Sequence, residues 1–211
     1  MNRLIFLLPA AFLTSIFNEV VHGQLIAEKG VKVGWSLSTF STEARDFQDN
    51  TFKHGLAVGG YLTFKLTPSF YLQPEVLFSM KGTKQNDPNY GGAGKLEERF
   101  TLTYVDVPLI AGYRFHGARL LAGGLLGFYI DGKYSSEYKG GPLDGQKDEE
   151  DLESDLTEST DLGVLFGAGY SFKRINLEAR YIWGLKNILK PNQDNIELKN
   201  RVLQFMLGVS F

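Results

Sequence analysis

Apolar side chains recur at every second position along most of this chain, and the pattern runs to its last residue. In INLEARYIWGL, Ile175, Leu177, Ala179, Tyr181, Trp183 and Leu185 fall on one face, and Asn176, Glu178, Arg180, Ile182 and Gly184 on the other. A strand turns successive side chains to opposite faces, so this spacing specifies a sheet with one oily side and argues against an amphipathic helix. The ending RVLQFMLGVSF repeats it, with Leu203, Phe205, Leu207, Val209 and Phe211 opposite Gln204, Met206, Gly208 and Ser210. Terminal residues of soluble domains usually fray, so an aromatic last residue within such a pattern needs something apolar to lie against.

Eight segments carry the pattern, at about 29–39, 52–66, 69–82, 99–115, 118–133, 160–172, 174–186 and 201–211. The connections near TPS at 67, HGA at 116 and KR at 173 are tight, whereas those at about 40–51, 83–98, 134–159 and 187–200 are long and polar. An up-and-down meander puts every short turn, and both ends of the barrel chain, at one end of the molecule. The expected fold is therefore all-β: an eight-stranded antiparallel up-and-down barrel. A content of 24 Gly and 10 Tyr against 7 Pro suits strands with close backbone approaches. Cysteine is absent, so no disulfide holds the structure.

Which face is oily decides the compartment. A soluble barrel lines its interior with apolar groups, and a membrane barrel reverses this. Here the face opposite the bulky apolar one is small or charged, and Glu178 and Arg180 would not line a lipid-binding calyx. The barrel is therefore of outer-membrane type. Strand parity places Lys32, Lys65, Glu75, Lys81, Asp106, Arg114, Arg119, Asp131, Glu178 and Arg180 inside. Glu75, Asp106, Arg114, Glu178 and Arg180 are expected to interlock and close the lumen, with a gated ion or proton path as the alternative. Parity also sets Phe64, Phe70, Tyr113, Phe115, Tyr170, Phe172 and Phe211 on the outer face near the short turns, where a periplasmic aromatic girdle and barrel closure are expected.

The opening MNRLIFLLPAAFLTSIFNEVVHGQ has one early cation, Arg3, then an apolar run from Leu4 to Phe17 and small or β-branched residues before a cut after VHG. This is the grammar of a signal peptide over residues 1–23, leaving a barrel domain over 24–211 that begins at Gln24. The run is shorter than the roughly 20 residues a transmembrane helix needs.

The segments YVDVPLIAGYRF (104–115), LLGFYIDGKY (125–134), YIWGLKNI (181–188) and LQFMLGVSF at the end resemble the PorT-like outer-membrane β-barrel family of Bacteroidota. The resemblance implies a barrel in the cell outer membrane and allows a role associated with type IX secretion. It also implies that the terminal Phe is recognised by the barrel assembly machinery during biogenesis.

Chemistry beyond this is sparse. The loop LDGQKDEEDLESDLTES (143–159) holds eight acids against Lys147, without the spacing of a calcium loop. It reads as a solvated acidic loop, part of which suits a short helix because Leu152 and Leu156 are four apart. His54 and His116 fall at opposite ends of the barrel, and no nucleophile elbow or phosphate loop occurs. No catalytic residue, metal or cofactor is expected, although a hydrolase or acyltransferase built on rim carboxylates is a remote alternative. With 22 Lys plus Arg against 24 Asp plus Glu, nucleic acid is not an expected partner. Outer-membrane lipid is, along with a protein partner at the extracellular loops or periplasmic turns.

Overall fold

The computed structural model describes residues 26–41, 50–87, 95–152, 157–190 and 197–211. The expected leader and the cut before Gln24 lie outside the described residues, as does part of each long loop. Ten strands are present: β1 (Ile26–Ser41), β2 (Asn50–Thr51), β3 (Lys53–Lys65), β4 (Phe70–Asp87), β5 (Lys95–Phe115), β6 (Ala118–Lys139), β7 (Lys147–Asp151), β8 (Thr160–Phe172), β9 (Ile175–Gly184) and β10 (Lys199–Ser210). Eight of them form the wall. Each pairs antiparallel with its sequence neighbour, and β10 closes the ring on β1 from Gly30↔Ser210 to Ser41↔Lys199. A closed ring leaves no unpaired edge, the condition hydrocarbon imposes on strands.

The partition of side chains is that of a membrane barrel. Lys32, Glu75, Lys81, Asp106, Arg119, Asp161, Glu178 and Arg180 are buried inside, while Val33, Trp35, Leu56, Phe78, Leu126, Phe166 and Leu207 are exposed outside. On β4 the outward residues run Phe70, Leu72, Pro74, Val76, Phe78, Met80. Ten steps of a tilted strand rise by about 25 Å, the height of a hydrocarbon band. Phe70, Phe115, Tyr170, Phe172 and Phe211 stand out from the wall near the short turns, Phe70 against Tyr113 at 5.0 Å between ring centroids, with Phe64 partly covered. The turn between β5 and β6 has positive φ at His116 (47°) and Gly117 (88°), the twist a two-residue hairpin requires and glycine supplies without strain. Phe211 is tied down through its backbone N–H, which donates to the Lys29 carbonyl at 3.0 Å.

Three expectations are corrected. First, Asp131 is exposed rather than inside. Thr103 pairs with Asp131 but Tyr104 pairs with Tyr129, so Ile130 is the extra residue of a β-bulge. One added residue reverses the parity beyond it. Second, much of the polar loops at 83–98 and 134–159 is strand. β4 and β5 stay paired out to Asp87↔Leu96, and β5 and β6 to Lys95↔Lys139. Third, the short helix expected around Leu152 and Leu156 falls mostly outside the described residues, while the stretch Lys147–Asp151 of the acidic loop is a strand on β6 rather than loop. Cross-strand pairs favour it: Lys133 meets Glu149 and Lys147 meets Glu137, each at 3.0 Å. Residues 153–156 lie outside the described residues. Lys65 keeps inward parity but is exposed at the periplasmic mouth.

Candidate functional site: the lumen and the outer ribbon

The inward residues of β1, β4, β6 and β9 meet in the periplasmic half of the lumen. Lys32 donates through Nζ to Glu75 at 2.7 Å and to both Glu178 oxygens at 2.8 and 2.9 Å. Arg180 forks onto Glu75 with two bonds of 2.6 and 2.7 Å and reaches Glu178 through Nε at 2.8 Å. Arg119 lies 3.0 Å from Glu178 and donates to the Tyr71 hydroxyl and the Gln73 carbonyl oxygen, both at 2.7 Å. Gln73 in turn donates to Glu75 at 2.6 Å. All five charged side chains are buried. Such a network is weak evidence for net stability, but losing one of its two carboxylates leaves the cations uncompensated.

A second cluster occupies the extracellular half. Lys81 bonds Asp106 at 2.9 Å and Asp161 at 3.1 Å, and its ammonium sits 4.7 Å from the centre of the Tyr104 ring. Ser79 donates to Asp106, and Asn200 donates to Asp161 at 2.9 Å. Tyr71, Ile110, Leu121, Leu125, Leu165, Ile182 and Val202 form an apolar cluster along the same interior. Above Lys81 the lumen is capped by Phe40, Leu102, Tyr104, Ile188 and Leu198, with Leu152 and Leu189 against them. The cap forms because the chain after β9 folds inward. The Asn187 side-chain oxygen accepts from the backbone N–H of Leu189 at 3.1 Å and of Leu198 at 2.9 Å, which turns Ile188 into the barrel mouth.

Of the five residues expected to interlock, Glu75, Glu178 and Arg180 share one cluster. Asp106 belongs to the other. Arg114 joins neither, since it pairs with Glu28 at 2.7 Å beside the periplasmic mouth. Lys32, Lys81 and Arg119 complete the two clusters, and their inward parity was the signal for them. Asp161, the second residue of β8, is not among the inward charges that parity singles out above, although it precedes Leu162 in the same alternation. His54 stacks on Trp35 outside the barrel and His116 lies in the β5–β6 turn, so they share no site. Among the described residues, no three His, Cys, Asp or Glu side chains group as a metal site.

Beyond the apolar band, β4, β5 and β6 continue as a ribbon. Glu97 faces outward on it, nearly buried beneath cationic side chains: Lys84 and Lys139 bond it directly, Arg99 lies at 3.2 Å and Lys95 at 3.8 Å. Hydrogen bonds from Lys139 and Lys84 hold the Glu97 carboxyl down at about 2. Its charge therefore supports the ribbon fully above the ordinary carboxylate range and is lost only as pH falls towards that value.

Among solved structures, Neisserial surface protein A is similar over 87% of this chain and 97% of its own, at 14% identity and a TM-score of 0.52. Ail, the attachment invasion locus protein of Yersinia pestis, is similar over 90% of this chain and 100% of its own, at 13% identity and a TM-score of 0.47. No curated protein matches the chain significantly. No helix among the described residues is long and apolar enough to cross a membrane. The family model for the outer membrane protein beta-barrel domain matches residues 25–190. With its closed ring of eight strands, oily outside and charged inside, the chain belongs to this outer-membrane β-barrel domain family and resides in the outer membrane.

Proposed function

We propose that this protein is a non-conducting outer-membrane barrel of structural, interaction or assembly type, without catalytic chemistry of its own. One observation carries the reading: two charge clusters and an apolar cap fill the lumen in succession. A barrel of about eight strands has an interior that side chains can fill, and here they do. Contacts with other molecules then fall to the outer wall, the extracellular ribbon and loops, and the periplasmic turns. The barrel assembly machinery inserts the chain during biogenesis, with β10 as the strand that closes the ring on β1. Planar-bilayer recording tests closure: the unmodified protein should give no large, steady single-channel currents. Such currents would replace the plugged barrel by a narrow pore.

We also infer a PorT-like relationship and a part in type IX secretion, a reading supported by a narrower observation. The residues that carry the resemblance coincide with the lumen machinery: Tyr104 and Asp106 of YVDVPL hold Lys81, and Asn187 of GLKNI turns the cap inward. Cross-linking in intact cells followed by recovery of the barrel should then capture secretion-system components. Recovery of assembly factors alone would remove this reading and leave the closed barrel in place.

A further inference from the structure

The outer face of the extracellular ribbon is electrostatically unbalanced. Lys84 stands directly opposite Arg99, and Lys95 opposite Lys139. Like charges facing each other across a ladder are destabilising unless something bridges them. Glu97 is the carboxylate placed among all four, so four cations against one anion leave an excess of three positive charges. Glu137 relieves this little, because it shares Lys139 at 3.6 Å with Lys147 at 3.0 Å. Lys53 adds to the excess: burial first, and then the nearby Arg99, push its ammonium below the usual lysine range. The connecting stretch 88–94, PNYGGAG, contributes no acid. Other cations beyond the band have acids to match them: Lys186 has Glu158 at 2.9 Å, Lys199 has Glu197 at 2.7 Å, and Lys133 has Glu149 at 3.0 Å with Asp151 directly across the ladder.

Position supplies the partner's chemistry. These side chains point away from the lumen, on strands that continue upward from the lipid-facing band. Lys84 is four residues past Met80, the last outward apolar residue of β4. That is about 13 Å along a tilted strand, which brings its ammonium to the height of the headgroups. A lysine or arginine there meets phosphate before it meets bulk water, and the guanidinium fork of Arg99 suits two phosphate oxygens. We propose that Lys84, Lys95, Arg99 and Lys139 form a binding site for the phosphate-bearing headgroup of an anionic lipid in the outer leaflet. Glu97 spaces the four cations around it. The lipid supplies the negative charge that the described carboxylates leave short around these four cations.

The test uses the full barrel folded into nanodiscs of phosphatidylcholine containing a minority of phosphatidylglycerol. Association of spin-labelled phosphatidylglycerol is compared with that of spin-labelled phosphatidylcholine. The unmodified protein should prefer the anionic label, more so at low salt. Each basic side chain near an anionic surface contributes about fivefold, so the double variant Lys84→Gln/Arg99→Gln should lose roughly tenfold or more of that preference. The charge-conserving pair Lys84→Arg/Arg99→Lys and the singly matched Lys199→Gln should keep it. Heat-modifiable gel mobility confirms that each variant is folded. Equal preference in the unmodified protein and the double variant would overturn the proposal. So would a cluster that binds inorganic phosphate in solution while showing no selectivity for the lipid.

Discussion

Replacing Glu178 by Gln is expected to lower the unfolding free energy by roughly 3–5 kcal/mol, the usual cost of breaking a buried ion pair from one side. Charge balance explains why this position should exceed its neighbours. The periplasmic cluster holds three cations, Lys32, Arg119 and Arg180, against Glu75 and Glu178. Glu178 meets all three cations, whereas Glu75 meets Lys32 and Arg180. Its neutralisation leaves three buried positive charges facing one carboxylate. Arg180→Ala does the opposite, because the remainder is two against two, and the cost is confined to lost hydrogen bonds and packing. The expected order is therefore Glu178→Gln well below Arg180→Ala in stability, with Arg119→Gln recovering part of the loss when added to Glu178→Gln. Denaturant unfolding from lipid vesicles reads all four proteins. The reverse order, or no recovery in the double variant, would show that charge balance does not govern the cluster.

That ranking could not have been drawn from the chain alone, and the reason is geometric. Parity states which face a residue takes, and it placed Lys32, Glu75, Lys81, Asp106, Arg119, Glu178 and Arg180 inside. It says nothing of height. Which charges meet depends on the stagger between strands, such as Leu77↔Asp106 on one side of the ring and Gln204↔Arg180 on the other, and stagger is a property of the closed barrel. Hence Asp106 and Arg114 were grouped with residues they do not touch. Parity itself fails past a bulge, as Asp131 shows, because a single extra residue leaves no mark in the apolar pattern. The ribbon was hidden for another reason. Above the membrane neither face of a strand must be oily, so Lys95–Arg99 and Lys147–Asp151 form strands without the alternation that reveals them elsewhere. Ile188 and Leu198 are apolar residues in a polar loop, and that contrast was the legible trace of the cap.

Where parity is undisturbed, it yields a prediction with a depth profile. Along β10 and the residue after it the outward residues are Leu203, Phe205, Leu207, Val209 and Phe211, and Leu207 is the middle one, paired with Val33 on β1 and with Leu177 on β9. It is 43% exposed on a wall whose solvent is hydrocarbon. An arginine there must bury its charge near the midplane of the bilayer, at a cost of about 2–4 kcal/mol. The same residue two steps nearer the periplasm, at Val209, can send its guanidinium towards the interface and should cost less. At Phe211 the charge itself should cost about 0–1 kcal/mol, because that depth is already interfacial. Leu207 also lies on the strand that closes the ring against β1, so the penalty falls on the closing pair. Leu207→Arg should therefore reduce both the stability and the yield of heat-modifiable folded barrel, and Val209→Arg should fall between it and Phe211→Arg. Denaturant titration of the three variants from vesicles measures the profile. A flat series would mean that this face does not meet lipid at graded depth, and a larger loss at Phe211 than at Leu207 would displace the bilayer from the band drawn by Phe70 to Met80 on β4.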